Sequence, residues 1–411
     1  MSGDPTTAAG VLERCATLAA ISARPDGIER VHLSPEHARA NAVVAGWLRD
    51  AGLVSWQDAA GNQWGRREGR APGLPALVLG SHLDTVPDAG PYDGILGVVL
   101  AIAVVQRLGD RVAGFPFALE VVGFGDEEGT RFGAALLGSR AVAGQWDDAW
   151  WALRDGDGVT LRQAFAGFGL DPEQVATAAR RPSDLAGYLE AHIEQGPELE
   201  AADASLGVVS SIAGARRMRL TVHGEARHAG GTPYPRRRDA LVGASELILA
   251  IERAGRESGC ITTVGQIAVQ PDGVNVIPGR AELSLDLRAE TDAARDGLWA
   301  ALEAELRESC RRRGLGLSIT EWHRAPAVAC APGLSAAVEA GITATGAAPR
   351  TLWSRAGHDA MAMAAITEVG MLFVRCHDGI SHHPAESVRE VDVAHALDAF
   401  EAAVLHLAGR S

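Results

Sequence analysis

The sequence predicts an α/β protein with a second domain inserted into the first. Two runs, 76–79 and 118–124, are short and continuously apolar. They end at Gly80 and Gly125, as strands buried on both faces do. Between them, 95–108 reads as a helix, and strand–helix–strand with apolar strands implies a parallel sheet. From 213 to 324 the pattern changes to alternation interleaved with helical stretches, and after 325 the first pattern resumes. The predicted organisation is a discontinuous α/β domain, 1–212 and 325–411, interrupted by a small domain, 213–324.

The elements follow in order. Ser34-Pro35-Glu36 is a helix start, with serine at the N-cap, proline at N1 and an acid in the first turn. Val43, Val44, Trp47, Leu48 and Ala51 recur at helical spacing, and Gly52 closes the helix. In the inserted segment, Met218, Leu220 and Val222 alternate as in a half-exposed strand. A helix at 239–254 and a strand at 261–269 come next. Leu283, Leu285 and Leu287 then alternate against Glu282, Ser284, Asp286 and Arg288, and a helix at 292–311 and a strand at 315–322 complete the set. The order βαββαβ suggests one sheet covered by two helices.

Composition narrows the chemistry. The chain has 411 residues and a formal net charge of −14, against the basic surface that a general nucleic-acid binder needs. It contains no lysine, which excludes Schiff-base, P-loop and Ser-x-x-Lys chemistry. Five widely spaced cysteines form no Cys-x-x-Cys pair, so they read as reduced, mostly buried thiols. Residues 1–10 lack a signal-peptide core, and no apolar run approaches membrane-spanning length. The expected location is the cytoplasm.

Thirteen histidines are present, and the informative ones sit beside carboxylates. These groups are His82, Asp84 and Asp93; Glu127 and Glu128; His192 and Glu194; and His382 with His383. A lone histidine is more often a satisfied core or surface residue, and His32, His37, His223, His323, His395 and His406 are read that way. Adjacent acids are usually solvated, and Asp-Gly pairs are usually turns. The placement of two of these groups just beyond buried strands, where open α/β sheets carry their sites, favours chemistry. Imidazole with carboxylate and no thiolate suits Zn²⁺ or Mn²⁺. Two such ions need about four ligands each, one shared, and the two oxygens of Asp93 can bridge. Of the pair Glu127-Glu128, one acid can bind metal while the other handles protons.

These residues stand in recognisable motifs. They are Ser-His-Leu-Asp-Thr-Val at 81–86, Tyr-Asp-Gly-Ile-Leu-Gly-Val at 92–98, Glu-Glu-Gly-Thr-Arg-Phe at 127–132, His-Ile-Glu-Gln-Gly-Pro at 192–197, Ala-Gly-His-Asp-Ala at 356–360 and Gly-Ile-Ser-His at 379–382. Together, in order and over nearly the whole chain, they resemble the aminoacylase/carboxypeptidase metallohydrolase superfamily. Within it they look like the branch of allantoate amidohydrolases, N-carbamoyl-L-amino-acid hydrolases and β-ureidopropionases. The resemblance implies a di-metal catalytic domain with a ferredoxin-like dimerisation lid. It implies that His82 and His192 bind one divalent ion, Mn²⁺ or Zn²⁺, that Glu128 and His382 bind the other, and that Asp93 bridges. Glu127 would be the general base and later the proton donor, and Asp84 would orient His82. His228, in Gly224-Glu-Ala-Arg-His-Ala-Gly230, would reach the neighbouring subunit of a homodimer and stabilise an oxyanion. Asn275 and Arg288 would hold a substrate carboxylate, and Gln195, Gly357 and His358 would also contact substrate.

The ureido acid favoured by the resemblance is allantoate, through Val31-His-Leu-Ser-Pro-Glu, Arg131-Phe-Gly with Leu137-Gly-Ser-Arg, and Met371-Leu-Phe-Val-Arg-Cys376. The products would be ureidoglycine, ammonia and carbon dioxide. N-carbamoyl-L-amino-acid hydrolysis is the runner-up, followed by a dipeptidase or acyl-amino-acid deacylase, and then by a non-catalytic binding protein. Two positions depart from the family pattern: Arg355 stands where glycine is common and Ala215 where glutamine is.

Overall fold

A computed structural model describes residues 3–409. The chain divides into two compact units. The first holds the residues up to Ser210, Cys330–Leu352 and those from Gly357 onward; the second holds Ser211–Ala329 and Trp353–Ala356. Strands β1 (Val54–Gln57), β2 (Gln63–Arg67), β3 (Ala76–His82), β4 (Ala118–Phe124), β5 (Leu185–Ile193) and β6 (Leu206–Ile212) come first. The second unit contributes β7 (Gly214–His223), β8 (Ile261–Thr263), β9 (Ile267–Gln270), β10 (Arg280–Ala289) and β11 (Gly316–Ala325). Finally β12 (Val369–Val374) returns to the first.

The first unit's sheet runs β1-β2-β4-β3-β5-β12-β6. Its centre is parallel, as the apolar runs require: β3 pairs β4 and β5, and β5 pairs β12. Strands β1, β2 and β6 pair antiparallel, so the sheet as a whole is mixed. Every residue of β3, β4 and β12 is buried. Strand β5 escapes an apolar-run criterion because Tyr188, Glu190 and His192 interrupt it. The structure buries these polar residues in a hydrogen-bonded set, Ser81 Oγ donating to Glu190 at 2.8 Å and Tyr188 O–H at 3.2 Å.

Helices α1 (Ala8–Ala19), α2 (Pro35–Asp50) and α3 (Ile95–Leu108) start the helical layer. The Ser34 hydroxyl caps α2 by accepting from His37 N–H. Helix α3 is buried from Ile95 through Val105, the mark of a helix with apolar residues on all sides. Each fully buried Val, Leu or Ile there contributes about 1.5–3 kcal/mol.

In the second unit the sheet order is β9-β10-β7-β11, with β8 also paired to β10. Met218, Leu220, Val222, Leu283, Leu285 and Leu287 share a core with α4 (Ala240–Ser258) and α5 (Asp292–Arg312). The single strand read at 261–269 is two. Thr263 lies opposite Asp286 and Ile267 opposite Leu283, so three residues on one side oppose two on the other. One extra residue is a β-bulge, and there Gln266 N–H donates to Ser284 Oγ at 3.0 Å. Among the described residues no helix is long and apolar enough to cross a membrane. All five cysteines are free; Cys15, Cys310, Cys330 and Cys376 are buried and Cys260 is partly exposed.

Candidate active site

The C-terminal ends of the central strands bring the chemistry together. His82 is the last residue of β3, Glu127 and Glu128 follow β4, His192 is near the end of β5, and His382 lies beyond β12. Asp93 precedes α3. Gly94 caps that helix at φ +69°, and a Cβ there would sit 2.4 Å from the His82 ring. Only glycine lets the Asp93 turn close onto His82.

Asp93 is the hub. Its Oδ1 lies 3.2 Å from His192 Nε2 and 4.0 Å from His82 Nε2; its Oδ2 lies 3.0 Å from His382 Nε2. His382 Nε2 is also 3.1 Å from Glu128 Oε1. His82 Nδ1 meets the main-chain oxygen of Asp84 at 3.0 Å, and His192 Nδ1 meets that of Ile193 at 2.9 Å. A carbonyl only accepts, so each Nδ1 carries a proton and each Nε2 is turned toward Asp93. His82, Asp93 and His192 offer donor atoms within 4.8 Å of one another, and so do Asp93, Glu128 and His382. Two divalent ions sharing Asp93 fit these residues, by donor chemistry and by this convergence.

The electrostatics match a site for cations. Burial alone would raise Asp93, but the hydrogen bond with His382 and the charges of His192 and His82 hold it below the usual carboxylate range. Glu127 is pushed well above its ordinary value, first by desolvation and then by Glu128, Asp359 and Asp84. A carboxyl poised this way can take and return a proton.

The other predicted residues of the first unit have the following surroundings. Asp84 touches His82 through its main-chain oxygen. Its carboxylate Oδ1 also lies 3.6 Å from His82 Nδ1, and the carboxylate accepts from Glu127 N–H at 3.0 Å and Glu128 N–H at 3.2 Å, fixing the acidic loop. The Gln195 amide nitrogen is 3.2 Å from both Asp93 oxygens and 3.1 Å from Ser381 Oγ. His358 is buried, its ring 4.5 Å from that of His192 and 5.8 Å from that of Phe373. Gly357 is exposed, and a Cβ there would lie 3.8 Å from Glu127 Oε1.

The residues of the second unit form their own groups. His228 is exposed on a short ribbon, opposite Val276, and Ala229 N–H donates to Asn275 O at 2.9 Å. The Arg288 guanidinium is gripped by both oxygens of Asp286, at 3.1 and 2.9 Å, and donates to the Arg355 main-chain oxygen at 2.8 Å. Ala215 lies opposite Arg288 in the sheet.

Sequence reasoning assigned no part to Ser381, Glu386, Glu190, Asp126 or Asp359. The last four are buried carboxyls around the site. Their only signal in the sequence is position beside the motifs, because burial of an acid is not visible in one dimension.

Residues 78–406 match the profile described as Peptidase family M20/M25/M40. The chain is 39% identical over 384 residues to an N-carbamoyl-L-amino acid amidohydrolase of Geobacillus stearothermophilus, covering 93% of this chain and 94% of that one. It is 39% identical over 401 residues to an allantoate deiminase of Arabidopsis thaliana, covering 90% and 76%. A solved amidase of the hydantoinase/carbamoylase family from Burkholderia multivorans superposes with a TM-score of 0.90 at 32% identity, covering 98% of each chain.

Proposed function

The chain belongs to peptidase family M20/M25/M40, and from that premise we propose that it hydrolyses the carbamoyl C–N bond of a ureido acid, with allantoate as substrate. The observation that carries this reading is Asp93 facing His192 and His382 with its two oxygens, beside the raised Glu127 carboxyl. His82, His192 and Asp93 would hold one divalent ion, and Asp93, Glu128 and His382 the other. When bound, such ions acidify water and polarise a carbonyl. Glu127 takes the proton of the attacking water as its oxygen bonds to the ureido carbon. It returns that proton to the leaving nitrogen as the C–N bond breaks. Asp84 keeps the Glu127-Glu128 main chain in place. Allantoate would yield ureidoglycine and a carbamate that decays to ammonia and carbon dioxide.

Recognition is assigned to the inserted unit: Asn275 and Arg288 for the substrate carboxylate, and His228, acting across a homodimer, for the oxyanion. A cytoplasmic location is part of the same proposal. N-carbamoyl-L-amino acids are the second reading, favoured by the near-complete mutual coverage with the Geobacillus relative.

The test is ammonia release from allantoate and from an N-carbamoyl-L-amino acid, by chelator-stripped protein reloaded with Mn²⁺ or Zn²⁺. Metal-dependent release from allantoate alone is the expected result. Release only from the carbamoyl amino acid keeps the chemistry and overturns the substrate.

A further inference from the structure

Beyond the residues given roles above, one carboxylate ties the two ligand-bearing loops together. Glu386 lies in a largely exposed loop, after exposed Ala385, yet is itself 3% exposed. Its Oε1 accepts from the N–H groups of Tyr92 at 2.8 Å and Asp93 at 3.1 Å, and its Oε2 accepts from Ser381 Oγ at 3.0 Å. The space it fills is made by Gly90, where a Cβ would come within 2.3 Å of the Glu386 side chain. A buried carboxylate is costly unless its oxygens are satisfied, and here all three donors belong to the site.

Ser381 extends this link to the Asp93 side chain. Its Oγ is 3.2 Å from Asp93 Oδ2 and accepts from Gln195 Nε2 at 3.1 Å. A hydroxyl has one proton. Given to Glu386, that proton leaves Asp93 Oδ2 facing Gln195 Nε2 and His382 Nε2. The flanking residues are strained: Gln195 has φ +54° and His382 φ +55°. Such conformations are costly in a non-glycine residue and persist only where the surroundings over-determine them.

We propose that Glu386 is a positioning residue that, with Ser381, sets Asp93 and His382 to bind a divalent ion jointly with Glu128. This rests on the two-ion reading above. It acts through the main chain of Asp93 and the hydroxyl of Ser381 and touches neither substrate nor the reacting atoms.

The experiment is Co²⁺ titration of the metal-stripped protein, read by equilibrium dialysis and visible absorption, for the parent, Glu386→Ala, Glu386→Gln and Ser381→Ala. The parent should bind two ions. Glu386→Ala should bind one ion with parental affinity and the second about 10–100-fold more weakly. Its metal-free melting temperature should stay within about 2 °C of the parent. Glu386→Gln keeps an acceptor for the two N–H groups and should recover most of the affinity. Parental binding of both ions by Glu386→Ala overturns the proposal. So does equal loss of both ions with a lowered metal-free melting temperature, which marks a purely structural role. If Glu386→Ala does not fold, Ser381→Ala decides: weaker binding of the second ion supports the proposal and unchanged binding overturns it. A parent that binds no ion overturns the two-ion reading itself, and this proposal with it.

Discussion

The two units keep their functional side chains in opposite ways. In the first, His82, Asp93 and His192 are buried, and each imidazole is anchored to a main-chain carbonyl. In the second, His228 and Asn275 are exposed on a short ribbon, and Arg288 is steadied by a carboxylate two residues away on the same strand. The difference is physical. Charged groups that must converge on one point need desolvation, and desolvation requires a partner for every polar atom. Groups that recognise a substrate from the surface need only a steady direction. On the proposed function, reaction chemistry would belong to the buried, over-determined set and selectivity to the exposed one.

The largest effect should come from the buried set. Glu127→Gln preserves shape and removes the proton acceptor, so kcat should fall about 10²–10⁴-fold while metal stoichiometry by dialysis stays at the parental value. A smaller loss would shift proton transfer to another group and weaken the contrast between the units.

Metal affinity should next show how strongly the buried carboxylates hold protons on their neighbours. Burial lowers His82, but Asp84, Asp93 and Glu128 outweigh it and bring it to about 9; hydrogen bonds to Asp93 and Glu128 raise His382 to about 10. An entering ion must displace those protons. Affinity should rise with pH below 9, by about tenfold per pH unit for each proton displaced. Isothermal titration in buffers of different ionisation enthalpy counts the protons, and a pH-independent affinity would contradict the arrangement.

In the exposed set, Arg288→Ala removes charge-assisted hydrogen bonds of about 1.5–3 kcal/mol, so KM should rise about 10–100-fold with kcat nearly kept. A ureide lacking the carboxylate should show no change. If kcat falls instead, Arg288 belongs with the reaction chemistry and the division fails.

The smallest effect is a surface ion pair of the second unit. Glu246, hydrogen-bonded by Arg313 first and then by Ser309, is held at about 2 from its ordinary 4.5. Both side chains are substantially exposed, so solvent screening limits the pair to less than about 1 kcal/mol. A folded pKa below the unfolded one means the contribution is present above pH 4.5 and is lost as pH falls toward 2. Urea denaturation of Glu246→Gln should differ slightly from the parent at pH 7, and the difference should shrink toward pH 2.

Much of this was legible in one dimension. The runs before Gly80 and Gly125 became central parallel strands, because a strand buried on both faces must be apolar throughout. The candidate ligand types were visible because His82, Glu128 and His192 sit at or within a few residues of a strand end, and Asp93 and His382 lie in the loops that follow one. Strand β5 was not legible, since Glu190 and Tyr188 break its apolar pattern and find partners in Ser81, Gly80 and Ala360, over a hundred residues away.

By itself, then, the sequence determined which side chains are available and on which strand or loop each is carried; those are matters of local pattern. Only the tertiary structure decided how they are used. It turned the Gln195 amide onto Asp93 and Ser381, gave the Asp84 carboxylate to the Glu127-Glu128 main chain, set Arg288 against the Arg355 main-chain oxygen, and brought Glu386 to the Asp93 main chain from 293 residues away. The reason is that a hydrogen bond depends on distance and direction in space, and for groups far apart along the chain these exist only once the sheet has set them side by side.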